Sequence, residues 1–348
     1  MAPVTVQQVA QAAGVSRSTA NKVLLGEAAL FRESTANKVL EAAKALGYKP
    51  NMLARGLRHQ RTYLIATLLS SVNAALAYEL YAGVQQVATD NQCAPVTFSC
   101  PTQEHEARSL ELCADRQVDA LLINTAPQTS TSQNQQRMLE LADAGLPMIE
   151  IFGRNLKGIP SIVSDYIASG YQSTAKLLAS GLKDILFWSP FPFDDQSQSC
   201  PKTWFALDMY RGYQQAMREA GQTARIENFE MPMVDGRQLD SRQLLPAAQA
   251  MLTRHKGLQA VVSPSALAAI SLSHVIAQTP DLVTPGFAQA AMQYGGTPIG
   301  ARERRVSIRI RSREIGEAAA RMAFQQLKGE RPDDMAIVPD IQENSPSV

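Results

Sequence analysis

At 348 residues, with 45% hydrophobic and 19% charged residues, the chain has the length for two or three compact units and an ordinary globular composition. The net charge of +1 hides an asymmetry: residues 1–58 hold eight Lys/Arg against three Glu, and the remainder carries more acids than bases. That distribution excludes a uniformly basic or acidic protein and points to an anionic partner for the head alone.

Thr5-Val6-Gln7-Gln8 predicts a capping box that opens a first helix, with Val6, Val9, Ala10 and Ala13 facing a core. Gly14-Val15 makes a tight turn and Ser16 caps a second helix. One side of that helix carries Arg17, Ser18, Asn21 and Lys22, the other Ala20, Val23 and Leu24. A face with cations and hydrogen-bonding groups but no acid suits phosphates and base edges. Two short helices joined this tightly, the second cationic, predict a helix-turn-helix. Residues 34–46 predict a third helix starting at Ser34, with an apolar stripe at Val39, Leu40, Ala43 and Leu46, stopped by Gly47. Leu25, Leu30 and Phe31 are expected to pack in the core. Ser-Thr-Ala-Asn-Lys-Val-Leu occurs twice, at 18–24 and 34–40. Pro50 then excludes a continuing helix, and Ala54, Arg55, Leu57 and Arg58 can form a short one, marginal alone.

The stretch from Val4 to Ser16 (VTVQQVAQAAGVS) and that from Leu46 to Arg58 (LGYKPNMLARGLR) resemble, at matching spacing, the head and hinge of the lactose/galactose repressor (LacI/GalR) family. The resemblance implies a homodimer or tetramer that lays helix 16–25 in the major groove of a pseudo-palindromic double-stranded operator. Arg17, Ser18 and Lys22 match base-reading positions. Thr5, Ser16, Thr19, Asn21 and Thr35 match phosphate or backbone contacts, and Ala54, Arg55, Leu57 and Arg58 the hinge helix. Leu57 matches a leucine wedge that kinks the minor groove. The chain departs from the family before the third helix, where Leu30-Phe31-Arg32-Glu33 replaces a Ser/Thr cap.

From Tyr63 short apolar strands alternate with helices. The strands are expected at Leu64–Leu69, Pro95–Ser99, Ala120–Asn124, Met148–Phe152, Ile162–Ser164, Ile185–Trp188, Ala260–Ser263 and Leu282–Gly286. The alternation predicts an α/β body of two doubly wound parallel-sheet lobes behind the all-α helix-turn-helix head. This half also resembles the family, whose effector domain is periplasmic-binding-protein-like, through landmarks such as Arg154, Asp165 and Arg211-Gly212-Tyr213. The expected division is a head at 1–49, a hinge and linker at 50–62, a body at 63–341 and a tail at 342–348. Within the body, lobe one takes about 63–165 and 306–330, and lobe two about 166–305.

Ligands of such bodies bind at strand C-termini between the lobes. The candidate effector residues are Ser70, Ser71, Asn73, Tyr78, Asn124, Asp165, Trp188, Arg211 and Ser265. Arg211 is open to two readings, a ligand contact or a structural ion pair. Two family acids are replaced, by Pro264-Ser265 and by Ala288, which removes anchors for a polyhydroxylated ligand. The long stretch 189–205 brings Phe191, Phe193, Lys202 and Trp204 near the cleft, to line it or to plug it.

No catalytic or nucleotide-binding motif is present, the four His are scattered, and the four Cys (93, 100, 113, 200) form no CxxC pair, so neither an enzyme, a cofactor nor a metal is expected. With no leader and no run of membrane-spanning length, a cytoplasmic, nucleoid-associated protein with no membrane partner is expected. The reading is an effector-responsive repressor, with a small molecule such as a sugar, sugar acid or nucleoside as candidate effector, and the replaced acids leave open one that is anionic or less polar. One rival keeps the DNA function without a small molecule, under a protein partner or abundance; another makes the head only a dimerising module on a ligand-binding body.

Overall fold

The computed structural model describes residues 4–48, 61–69, 74–124, 133–190, 204–229, 241–293 and 304–344. They fall into two units, Met1–Thr62 and Tyr63–Val348.

In the head, α1 (Val6–Ala13) opens on the expected capping box: the Thr5 amide donates to Gln8 Oε1 at 2.8 Å and the Gln8 amide to Thr5 Oγ1 at 3.4 Å. Gly14 takes a left-handed φ of 66° and turns the chain into α2 (Arg17–Leu24). A short 3-10 turn at Ala28–Leu30 leads to α3 (Glu33–Ala45). The core is Val9, Ala10, Ala20, Val23, Ala36, Val39 and Ala43, with Phe31 and Tyr48 packed against it. Both copies of the repeat bury their Ala and Val, at 20/23 and 36/39, because that i,i+3 pair shares one helix face.

Three expectations fail here. The third helix starts at Glu33, and its cap Arg32 makes no side-chain cap bond. Leu30 is 70% exposed, so Phe31 alone of that pair plugs the core. Leu40 and Leu46 stand in solvent, since two neighbouring helices cover only the Val39–Ala43 side of α3.

The body holds two six-stranded sheets. The first comprises β1 (Leu64–Leu69), β2 (Ala94–Ser99), β3 (Ala120–Asn124), β4 (Met148–Ile151), β5 (Ser161–Ser164) and β11 (Met335–Ile337), all parallel, in the order β11-β5-β4-β3-β1-β2. Alternate strand residues serve its two faces. Ile65, Leu122 and Ile149 join Leu80 and Val84 of α4 (Ala74–Asp90) and Ile315 of α11 (Ser312–Leu327). Ala66, Leu121 and Ile123 join Leu110 of α5 (Gln103–Asp115) and Met138 of α6 (Gln133–Asp143).

The second sheet comprises β6 (Ile185–Ser189), β7 (Arg225–Asn228), β8 (Leu258–Ser263), β9 (Val283–Gln293), β10 (Arg304–Arg309) and β12 (Asp340–Asn344). Its order is β12-β10-β9-β8-β6-β7, parallel except for β12. One face carries α7 (Tyr166–Ala179) and α8 (Trp204–Glu219), the other α9 (Leu245–Arg254) and α10 (Ala266–Gln278).

In each lobe, one helix pair meets backbone to backbone through reciprocal glycines. A Cβ on Gly83 of α4 would strike the Arg313 carbonyl of α11, and one on Gly316 the Leu80 carbonyl. Gly170 of α7 and Gly212 of α8 stand in the same relation to Met209 and Ile167.

The chain crosses between the sheets at Asp165, at Ile310–Arg311 and at Val338–Pro339. Residues 306–309, expected in lobe one, are therefore in the second sheet, and Asp340–Asn344, whose last three residues were expected in the tail, pair antiparallel with β10. β9 runs well past the expected Gly286. A slip at that glycine (φ 82°) pairs Leu258 with Val283 but Ala260 with Ala288. Among the described residues no helix is long and apolar enough to cross a membrane.

Candidate DNA interface and interlobe cleft

The face of α2 divides as its periodicity requires. Ala20 and Val23 are buried, Arg17 and Ser18 are exposed, and Thr19, Asn21 and Lys22 are half-buried along the rim. The first turn carries no acid. Ser16 Oγ accepts from the Thr19 amide at 3.0 Å and lies 2.9 Å from Thr19 Oγ1. The hydroxyls of Thr5 and Ser16 thus cap helix starts, and that of Thr19 bonds the Ser16 cap. Thr35 is half-buried in the first turn of α3. Ala54, Arg55, Leu57 and Arg58 lie outside the described residues.

In the body, Ser70, Ser71 and Asn73 also lie outside the described residues, as do Phe191, Phe193 and Lys202. The remaining effector candidates scatter. Tyr78 is 69% exposed on α4. Asn124 Nδ2 donates to the Ile151 carbonyl at 3.1 Å, tying the end of β3 to that of β4. Asp165 and Ser265 are helix caps: their side-chain oxygens accept from the Ala168 amide at 2.9 Å and the Ala268 amide at 3.3 Å.

Two readings are corrected, those of Trp188 and Ala288. Trp188 does not face the cleft. Odd residues of β6 point toward α7 and α8, whereas Leu186 and Trp188 point into the α9–α10 face, where Trp188 is fully buried and stacked on Phe229 at 4.5 Å. Arg211 is exposed on α8 and pairs with Asp208, one turn away on the same helix, at 3.0 Å. Ala288 is fully buried between β8 and β10, below the cleft rim, because the slip at Gly286 carries it into the strand.

What the structure does bring together is the loop after β4 and the start of α8. Glu150, fully buried, accepts from the Asn155 amide at 2.9 and 3.0 Å, from Asn155 Nδ2 at 3.0 Å and from the Leu156 amide at 2.8 Å. Phe152 takes a left-handed φ of 56°, and a Cβ on Gly153 would collide with the Glu150 carboxylate. This clamp presents Arg154, which is exposed, with its guanidinium carbon 5.2 Å from the ring centre of Trp204. Tyr166 meets Trp204 edge-on at 5.3 Å and Phe205 at 5.7 Å. Arg154 follows a lobe-one strand and Trp204 opens a lobe-two helix, so the pair spans the cleft at the strand C-terminal ends.

The sequence reading held Arg154 only as a family landmark. A Gly-Arg directly after an apolar strand was the available signal, but nothing in it named an aromatic partner fifty residues on. Behind the cleft, where the chain crosses, lies a cavity of about 240 Å³ lined by residues including Leu76, Glu79, Gln293, Arg309, Arg311 and Asp340. Arg311 pairs there with Glu314 and, at 3.9 Å, with Asp340. Among the described residues no cluster of His, Cys, Asp and Glu is composed to hold a metal ion.

Residues 5–51 match the model of bacterial regulatory proteins of the lacI family, and residues 62–285 that of periplasmic binding proteins and the sugar binding domain of the LacI family. The chain belongs to the LacI family. LacI-family relatives include the HTH-type transcriptional regulator RegA of Clostridium saccharobutylicum, 31% identical over 62% of each chain. Another is catabolite control protein A of Priestia megaterium, 27% identical over 64% of this chain and 63% of that one. These matches span less than two thirds of the relatives' own lengths. The first is named a transcriptional regulator and the second a control protein. The Lac repressor dimer bound to operator and an anti-inducer shares the fold, with a TM-score of 0.69 at 16% identity over 98% of both chains.

Proposed function

We propose that this LacI-family chain is a sequence-specific DNA-binding transcription regulator, an effector-responsive repressor that works as a dimer on a pseudo-palindromic operator, and not an enzyme. The observation that carries the reading is the exposed, acid-free face of α2, with Arg17 and Ser18 outermost and a capped N-terminus behind a tight turn. Such a helix offers a guanidinium fork for guanine edges and a positive helix end for phosphates. Cytoplasmic location follows from that partner.

Binding to a palindromic operator should weaken steeply with salt, since each phosphate contact releases counterions. Arg17→Ala and Lys22→Ala should each cost about 1–3 kcal/mol and relax selectivity at one position of each half-site. Unchanged selectivity in both variants would remove the base-reading assignment.

The body is read as the effector-binding part. Its effector is not anchored as a polyhydroxylated sugar, a view supported by the burial of Ala288, the capping role of Ser265 and the Arg211–Asp208 pair.

A further inference from the structure

We propose that Arg154 and Trp204 anchor an effector that is a small aromatic carboxylate, its ring on the Trp204 indole and its carboxylate in the Arg154 fork. This rests on reading the body as effector-binding and names the chemistry of that site.

The loop that carries Arg154 is a built feature. A left-handed φ at a phenylalanine is unfavourable and persists only where surroundings over-determine it. Here the surroundings are the buried Glu150 carboxylate with its four accepted bonds, and Gly153, which alone fits against it. Gln135 Nε2 adds a bond to the Asn155 carbonyl at 2.8 Å. All this fixes a guanidinium that has no ion-pair partner among the described residues. An exposed arginine on a fixed loop, lying over an indole with no ion-pair acid among the described residues, is poised for an anion from outside.

The aromatic half is equally specific. Trp204 is half-buried and braced by Tyr166 and Phe205, so its position survives ligand exchange. Arg154 lies against its ring, a cation–π contact that a ligand with a flat face and a negative group can extend rather than break. The two residues belong to different lobes, so one ligand that touches both joins the lobes.

The test uses the full chain, which has two tryptophans, Trp188 and Trp204. Because Trp188 is sealed in the lobe-two core, quenching by an added aromatic acid reports on Trp204. Benzoate and phenylacetate should quench fluorescence saturably and raise the melting temperature of the body, while benzamide and glucose should do neither. Arg154→Met, which keeps the aliphatic stem, should weaken benzoate binding at least about tenfold, the loss of one charge-assisted fork. Trp204→Leu should abolish the quenching and weaken binding measured by calorimetry.

Equal binding of benzamide and benzoate, undiminished binding in both variants, or no response to any aromatic acid at millimolar concentration would overturn the proposal. Operator binding by the unaltered protein is scored separately. Its presence without an acid response rejects this ligand class alone, whereas its absence rejects the regulator reading.

Discussion

Glu150 shows what a single buried charge does when it is fully engaged. A carboxylate out of water is costly unless its lone pairs are taken. Three donors from the following loop take them, the Asn155 amide reaching both oxygens, and the loop gains one conformation. None of this is visible in Met148-Ile149-Glu150-Ile151, which reads only as a strand with a polar interruption. By contrast the Thr5–Gln8 capping box was legible, because both partners lie within one helical turn. Trp188 was illegible for a third reason: a strand residue changes face with each step, and nothing local says which parity meets the cleft. The cysteines behave as their burial dictates. Burial pushes the Cys113 thiol up to about 12, with the nearby Cys100 adding to it, and Cys100 itself is raised by burial. Buried and with raised thiol pKa, neither should react with iodoacetamide until the protein unfolds. Labelling of either in the native protein, followed by peptide mapping, would show that the lobe-one interior opens.

Among the elements, most central strands and the apolar edge strand β2 were readable, and the polar edges were not. β7 and β12 are edge strands rich in charged and amide residues, such as Arg225, Glu227, Asp340 and Glu343. Natural edges carry such residues to blunt pairing with other chains, and the same polarity hides them from a hydrophobicity pattern. β10 is masked by Arg304, Arg305 and Arg309 around its apolar Val306 and Ile308. α3 fails in the opposite sense: its stripe was read as wider than two short helices can cover. Two changes test the element-level account. Arg32→Ser should supply the missing cap of α3 and stabilise the head by about 1 kcal/mol, seen as a higher melting temperature of the head alone. Gly212→Ala should force α7 and α8 apart against the Ile167 carbonyl and destabilise the body by about 2–3 kcal/mol in urea titration, although alanine is the better helix former. The Gly within Arg211-Gly212-Tyr213 is thus a packing requirement beside a surface ion pair.

At the scale of the molecule, the two lobes are interleaved. β10 belongs to the second sheet, α11 packs on the first, β11 returns to the first sheet and β12 closes the second. Neither lobe holds a complete sheet without residues 304–344 of the other's chain segment. Calorimetry should therefore give one transition for the whole body, not one per lobe, and removing residues 335–348 should unsettle both. The head is a separate unit and should melt on its own.

The head's interior has a consequence in temperature. All seven of its buried core residues are alanine or valine, the smallest side chains that can build a core. A unit of about fifty residues sealed with so little apolar surface has a narrow margin. Warming would melt it while the larger body, with its phenylalanine, tyrosine and leucine interior, stays folded. Heat would then release the operator without any effector, and cooling would restore the grip with no new protein made.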